Sequence, residues 1–209
     1  MRTRGIVSIA VLLLLGPAAA AAQTLDTELT AFGGYRFGGT VDVKDSDSAY
    51  GLDDASSFGL IWNHRYRANT QWEVFYSTQE ARAELEGDAE LAATADVETH
   101  VLQVGGTYLW DGASLQPYLA ATLGATRIRA RAAGSDSDTF VSASIGLGFR
   151  VAPTARLGLR FEARAHGTFI RENSSIFCST GPDENVCAIK AEGNLFGQLE
   201  AYAGVSLRF

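Results

Sequence analysis

Apolar and polar side chains alternate with a period of two along most of this sequence, and no other feature restricts its fold as strongly. Every odd position from 199 to 209 is apolar, and the even positions between them are Glu200, Tyr202, Gly204, Ser206 and Arg208. Residues 140–151 and 156–170 repeat the pattern. This alternation is typical of a β-strand with one apolar face, and the runs are longer than most strands of globular proteins.

The same pattern predicts eight strands, with no helical segment between them. They lie at about residues 24–37, 56–67, 71–81, 97–110, 115–129, 140–151 and 156–170, and in a last segment that ends at residue 209. Three connections are short, at 68–70, 111–114 and 152–155, and they alternate with long polar stretches at 38–55, 82–96, 130–139 and 171–193. Sequence neighbours should therefore pair antiparallel. In the fifth strand the sequence does not decide which side chains form the apolar face. The two competing sets are Leu119, Ala121 and Leu123, and Tyr118, Ala120 and Thr122.

Loop lengths and aromatic residues indicate a membrane barrel. Short turns at one end and long loops at the other are typical of outer-membrane barrels, which also carry an aromatic band at each membrane surface. The aromatic residues next to the short turns are Tyr66, Trp72, Trp110, Tyr118, Phe149 and Phe209; those towards the long loops are Tyr35, Phe37, Phe58, Tyr76 and Phe169. We predict an all-β fold, an eight-stranded antiparallel up-and-down transmembrane β-barrel over residues 23–209.

The first 22 residues have the pattern of a cleaved signal peptide, with Arg2 and Arg4 before an apolar run and a string of alanines. Without them the chain keeps 24 acidic residues against 15 basic ones, a net charge of −9. Such an acidic chain is a poor candidate for nucleic-acid binding. Export also predicts that the two cysteines, Cys178 and Cys187, form a disulfide that closes the fourth long loop.

With this pattern the chain resembles the small eight-stranded outer-membrane barrels of Gram-negative bacteria, of the OmpA, OmpX, Opa and OmpW type. Gly204, Leu207 and the final Phe209 match the C-terminal assembly signal of that class. The resemblance implies an outer-membrane location, both termini in the periplasm, lipid and lipopolysaccharide around the barrel, and recognition of the C-terminus by the barrel-assembly machinery. We also expect a monomer.

The polar faces of the strands should line the interior of such a barrel, because unpaired backbone groups are not tolerated in lipid and the sheet must close. Eight strands leave an interior that side chains fill. Acidic and basic residues are mixed there, as pairing in a dry lumen requires. The predicted network of charged residues is Arg36, Arg65, Glu73, Arg160, Glu162, Arg164, His166, Glu200 and Arg208.

The favoured function is non-catalytic: a structural or surface-interaction protein whose extracellular loops meet a ligand that the sequence does not identify. One alternative is a narrow channel or transporter for small or hydrophobic molecules, which the OmpW resemblance implies. A second is a lipid A-modifying enzyme, for which the nearest motif is His166-Gly167-Thr168, with threonine where related hydrolases have a serine nucleophile. We predict no catalytic residue, no cofactor and no metal. The acidic residues of the first loop do not have the spacing of a calcium loop, and both acidic loops are interpreted as solvated outer loops.

Overall fold

The computed structural model describes residues 25–42, 49–86, 95–130, 137–152, 155–170, 178–180, 185–187 and 195–209. The predicted signal peptide lies outside these residues. The described ranges contain twelve strands, and eight of them are long. The long strands are β1 (Thr27–Phe37), β4 (Ala55–Arg67), β5 (Thr70–Glu86), β6 (Ala95–Leu109), β7 (Leu115–Ala130), β8 (Ser137–Val151), β9 (Leu157–Phe169) and β12 (Leu195–Arg208).

The eight long strands form a closed antiparallel barrel. Each pairs with its neighbour in sequence, and β1 pairs with β12 to close the ring. The predicted fold class is therefore confirmed. The described part of the chain contains no helix long and apolar enough to cross a membrane.

Side chains alternate between the two surfaces of the wall, as the sequence pattern predicts. In β12 every second residue is buried, from Phe196 to Arg208, and those between are exposed. The outer surface carries exposed leucine, valine and aromatic side chains on all eight strands, which suits contact with lipid. In β7 the buried set contains Tyr118, Ala120 and Thr122, which resolves the facing that the sequence left open.

The assignment of Tyr118 to an aromatic band at the membrane surface is therefore wrong. Its side chain is fully buried inside the barrel, although its position next to a short turn suggested the membrane surface. The other predicted band residues at the short-turn end, such as Trp72 and Phe209, are exposed at 55% and 56%. The prediction failed because the alternation of β7 fits either face.

The predicted loops contain more regular structure than expected. In the first loop, β2 (Thr40–Asp42) pairs with β3 (Ala49–Leu52), and β3 pairs with the far end of β5. β5 consequently continues to Glu86, past the predicted end at residue 81. Residues 82–86 keep the two-residue alternation, but their charged side chains suggested a solvated loop.

The fourth long loop contains a short hairpin that bears both cysteines. β10 (Cys178–Thr180) and β11 (Asn185–Cys187) pair antiparallel, and the register places Cys178 opposite Cys187. Directly opposed residues of an antiparallel pair lie about 4.5–5.5 Å apart at Cα, which is within the range that a disulfide spans. The backbone is thus compatible with the predicted disulfide.

We predict that Cys178 and Cys187 resist alkylation in the exported protein until a reductant is added. Closing a loop of about ten residues should stabilise the hairpin by roughly 2.5–3 kcal/mol. Mass spectrometry after alkylation with and without reduction measures the two thiols directly. The Cys178→Ser variant is the control, because its remaining Cys187 should react without reduction. Complete labelling of the unreduced wild type would contradict the disulfide.

Candidate functional site: the charged lumen

Among the residues that the structure describes, five arginines, four glutamates and one histidine are buried in the lumen. These side chains are Glu28, Arg36, Glu73, Arg150, Arg160, Glu162, Arg164, His166, Glu200 and Arg208. Each takes an inward position of the two-residue alternation. A buried charge without a partner costs several kcal/mol, so the geometry of pairing determines whether this interior is stable.

Two arginines and two glutamates form a closed ring at the middle of the lumen, which we call the central quartet: Glu73, Arg160, Glu162 and Arg164. Arg160 Nη2 lies 2.9 Å from Glu73 Oε2 and 2.8 Å from Glu162 Oε2. Arg164 closes the ring, with Nη2 2.6 Å from Glu73 Oε1 and Nε 2.6 Å from Glu162 Oε1. All four side chains are fully buried. Each carboxylate therefore contacts both guanidinium groups, an arrangement that suits the planar fork of arginine.

Neutral side chains complete the hydrogen bonding of the quartet. The Tyr118 hydroxyl donates to Glu162 Oε2 at 2.6 Å, and Arg160 Nε donates to the Tyr118 oxygen at 2.8 Å. Asn63 accepts from Arg160 Nη1 at 2.8 Å, while Thr107 donates to Glu73 Oε2 at 2.7 Å. A buried ion pair contributes favourably only when its remaining donors and acceptors are satisfied, and these groups largely satisfy them.

The quartet bridges opposite walls of the barrel. Glu73 lies on β5 and the other three residues on β9; three strands separate β5 from β9 in either direction around the ring. Gly146, on the neighbouring β8, leaves the space that Glu162 occupies, because a Cβ at residue 146 would lie 2.0 Å from Glu162 Oε1. The quartet therefore links opposite walls of the barrel across the lumen through paired charges.

A second cluster lies on the long-loop side of the quartet, around Glu200. Its Oε2 is 3.1 Å from Arg36 Nη2 and 2.8 Å from His166 Nε2. Ser77 donates to Glu200 Oε1 at 2.9 Å. Gln79 adds a hydrogen bond to the backbone oxygen of Arg36 at 3.2 Å. This cluster joins β1, β5, β9 and β12, so four strands share one carboxylate.

A third cluster lies at the short-turn end. Glu28 Oε2 accepts from Arg208 Nε at 2.5 Å, and Arg150 Nε lies 3.6 Å from Glu28 Oε1. Arg208 Nη1 also donates to the backbone oxygens of Ala152 and Ala155, at 3.0 and 2.8 Å. Ala152 has a φ of 54°, a backbone conformation that is unusual for alanine. Arg208 therefore links the last strand both to β1 and to the turn between β8 and β9.

Comparison with known proteins agrees with a closed barrel of this architecture. A family model described as the outer membrane protein beta-barrel domain matches residues 8–209. The chain belongs to this family. No curated protein matches the chain in sequence.

Several solved structures share the fold of this outer-membrane barrel. Neisserial surface protein A is 16% identical, with a TM-score of 0.59 over 88% of this chain and 97% of that one. OprG from Pseudomonas aeruginosa is 15% identical, with a TM-score of 0.54 over 88% and 96% of the two chains. AlkL in lipid bilayers is 13% identical, with a TM-score of 0.52 over 93% and 95%. At such low identity these likenesses show the fold alone.

Arg65 is the one predicted lumen residue that the structure places elsewhere. It lies at the short-turn rim of the outer-membrane barrel, with 52% of its side chain exposed, and its Nε is 3.0 Å from Asp26 Oδ1. The pairing of β4 with β5 is irregular between Arg65 and Arg67. This bulge lies next to the turn, beyond the enclosed part of the lumen, and leaves the side chain in solvent.

Several residues of the lumen clusters were not part of the predicted network, among them Glu28, Arg150, Asn63 and Tyr118. The signal for Glu28 was present in the sequence, because it has the same position in the alternation as Arg36. Arg150 likewise follows the polar face of Ser142 and Ser144. The contacts of Asn63 with Arg160 and of Tyr118 with Glu162 could not be read from the pattern, since β9 is distant in sequence from both residues.

Two histidines, His166 and His100, have polar partners. His166 is bonded to Glu200, and Thr168, two residues on, donates to Thr126 at 3.3 Å. On the outer surface, His100 lies 3.1 Å from Glu98 and 3.0 Å from the Tyr76 hydroxyl. Among the described residues, no cluster of three or more His, Cys, Asp or Glu is arranged to hold a metal ion.

Proposed function

We propose that this outer-membrane barrel is a non-catalytic protein, a rigid support that holds its long loops at the cell surface. The observation that carries the proposal is the central quartet, which joins β5 to β9 across the lumen through fully buried charges. Hydrogen-bonded charges on opposite walls favour a rigid, occluded interior over a wide aqueous path. Contacts with other molecules would then be made by the loops, where binding residues are usually located.

The proposed arrangement in the membrane has the three short turns and both termini in the periplasm and the long loops outside. This orientation follows the general asymmetry of outer-membrane barrels. The barrel would act as a monomer surrounded by lipid and lipopolysaccharide. Its closed ring supports a monomer, because closure leaves none of the eight long strands with a free edge for a second chain.

We expect the wild-type protein to show no resolved conductance steps in planar lipid bilayers, because the quartet closes the lumen. A comparison variant replaces its four members with serine: Glu73→Ser, Arg160→Ser, Glu162→Ser and Arg164→Ser. This variant should conduct more than the wild type, since water can enter the space between β5 and β9. Regular conductance steps from the wild type would contradict the proposal and favour a channel.

A further inference from the structure

The barrel closes between β1 and β12, the first and last long strands, and this seam differs from the other seven. Every other pair of neighbouring barrel strands is consecutive among the eight, so one loop or turn restricts its register. β1 and β12 have no such connection, and their register depends on contacts between the strands. Five inward positions of β1 oppose five of β12: Glu28 with Arg208, Thr30 with Ser206, Phe32 with Gly204, Gly34 with Tyr202 and Arg36 with Glu200.

We call these five opposed residue pairs the rungs of the seam. The two outermost rungs are buried ion pairs of opposite polarity. At the short-turn end the acid is on β1, where Glu28 is bonded to Arg208 at 2.5 Å. Eight residues further along β1 the base is on β1, where Arg36 lies 3.1 Å from Glu200. Both pairs are at most 5% exposed. Each charge therefore has its partner directly opposite only in the native register.

The three inner rungs are complementary in size and hydrogen bonding. Phe32 is opposite Gly204, and Tyr202 is opposite Gly34; a Cβ at residue 34 would lie 2.6 Å from the Cβ of Tyr202. The Phe32 and Tyr202 rings stack with centroids 4.2 Å apart. Between the Phe32–Gly204 rung and the Glu28–Arg208 rung, Thr30 and Ser206 share a hydrogen bond of 2.7 Å. Each aromatic ring thus uses the space above a glycine of the other strand.

A slip of the seam by two residues keeps every side chain on its own face, so the alternation alone does not prevent it. In one direction Glu28 would face Ser206, Arg36 would face Gln198, and Phe32 would meet Tyr202. In the other direction Arg208 would face Thr30. Either slip separates both charged pairs inside the lumen, where an unpaired charge is strongly disfavoured.

The charges alone would also fit β1 against β1 of a second copy, because Glu28 could then face Arg36. That pairing is antiparallel and centred on Phe32, so two Phe32 side chains would be opposed with no glycine between them. The aromatic–glycine rungs therefore distinguish β12 from a second β1. Charge sets the register of the seam, and size sets the identity of the partner strand.

We propose that these five rungs are a pairing code that selects β12 as the partner of β1 and fixes the register in which the barrel closes. The code is separate from the central quartet, whose members lie on β5 and β9. It predicts that neutralising the charged rungs allows the barrel to close in slipped registers. Neutralising members of the central quartet should not have this effect.

The test reads the register by cysteine crosslinking on the outer face of the seam. In a background with Cys178→Ser and Cys187→Ser, Ala31→Cys is combined in turn with Ala203→Cys, Val205→Cys or Leu207→Cys. Ala31 is opposite Val205 in the native register. The protein with an intact seam should crosslink between 31 and 205, with only background crosslinking to 203 or 207.

The seam-neutralised variant carries Glu28→Gln, Arg36→Gln, Glu200→Gln and Arg208→Gln. We expect part of its crosslinking to shift from 205 to 203 or 207. Two milder variants, each neutralising one ion pair, keep the assay readable if the four-site variant does not fold, and the same shift is expected. The control variant, Glu73→Gln with Arg164→Gln, should lower folded yield but keep the 31–205 crosslink. Crosslinking between 31 and 205 alone in all seam variants would overturn the proposal, as would a shift in the control.

Discussion

Replacing Glu73 with glutamine should lower the free energy of unfolding of the barrel by about 3–5 kcal/mol, the cost of removing one partner from a buried ion pair. Glu73 contacts both Arg160 and Arg164, at 2.9 and 2.6 Å. Glutamine keeps the shape of the side chain and one oxygen acceptor. It removes the negative charge, so two fully buried guanidinium groups would share the single carboxylate of Glu162.

The matched control is Asp26→Asn, which removes the charge from an exposed ion pair. Asp26 lies 3.0 Å from Arg65, and the two side chains are 36% and 52% exposed. Water and salt screen such a pair, so its loss should change the free energy of unfolding by about 0–1 kcal/mol. Urea titration of protein refolded into detergent or lipid vesicles, followed by heat-modifiable migration on gels, measures both variants.

The comparison also tests whether the quartet is coupled as a ring. If it is, adding Arg164→Gln to Glu73→Gln should restore part of the lost stability, because one positive charge then faces one negative charge. Two independent sites would instead give additive losses. A Glu73→Gln variant as stable as Asp26→Asn would show that the buried charges are solvated in the folded barrel, and it would remove the main support for an occluded lumen.

The architecture and most of the lumen residues follow from the alternation in the sequence, since a period of two assigns each side chain to one wall surface. The pairing within the lumen does not follow from it. Glu73 meets Arg160 because β5 and β9 face each other across the closed ring, and that relation depends on strand number and on the register of every seam. No local pattern encodes it.

The errors of sequence interpretation have identifiable physical causes. Arg65 has an inward position in the two-residue alternation, but a bulge beside the turn leaves its side chain in solvent. Residues 82–86 alternate like a strand, but their charge suggested a loop. They are stabilised by pairing with β3, whose residues are distant in sequence. Charge identifies where side chains meet water; it does not show where a strand of a barrel ends, because barrel strands can extend beyond the membrane.

Gly204→Val should impair closure of the barrel both in cells and in refolding from urea. Gly204 is opposite Phe32, and an added Cβ would lie within 3.0 Å of the Ala31 oxygen, Thr30 Cγ2 and Phe32 Cβ. Forcing extra atoms into such a contact costs about 1–3 kcal/mol. Gly197→Val is the control, since no atom lies within 4 Å of a Cβ built there on the same strand. Normal refolding of Gly204→Val would contradict this packing role.

Phe209→Ala should behave differently, and the contrast separates packing from recognition. The Phe209 side chain is 56% exposed, while its backbone N and O are bonded to Thr27 at 2.9 and 3.1 Å. Alanine keeps these backbone bonds, so the purified variant should refold like the wild type. If the assembly machinery reads the terminal aromatic, however, the variant should be strongly depleted from the outer membrane in cells. Immunoblotting of outer-membrane fractions alongside refolding in vitro measures both. Equal outer-membrane levels of variant and wild type would mean that Phe209 is not part of an assembly signal, and a refolding defect in vitro would assign it to packing instead.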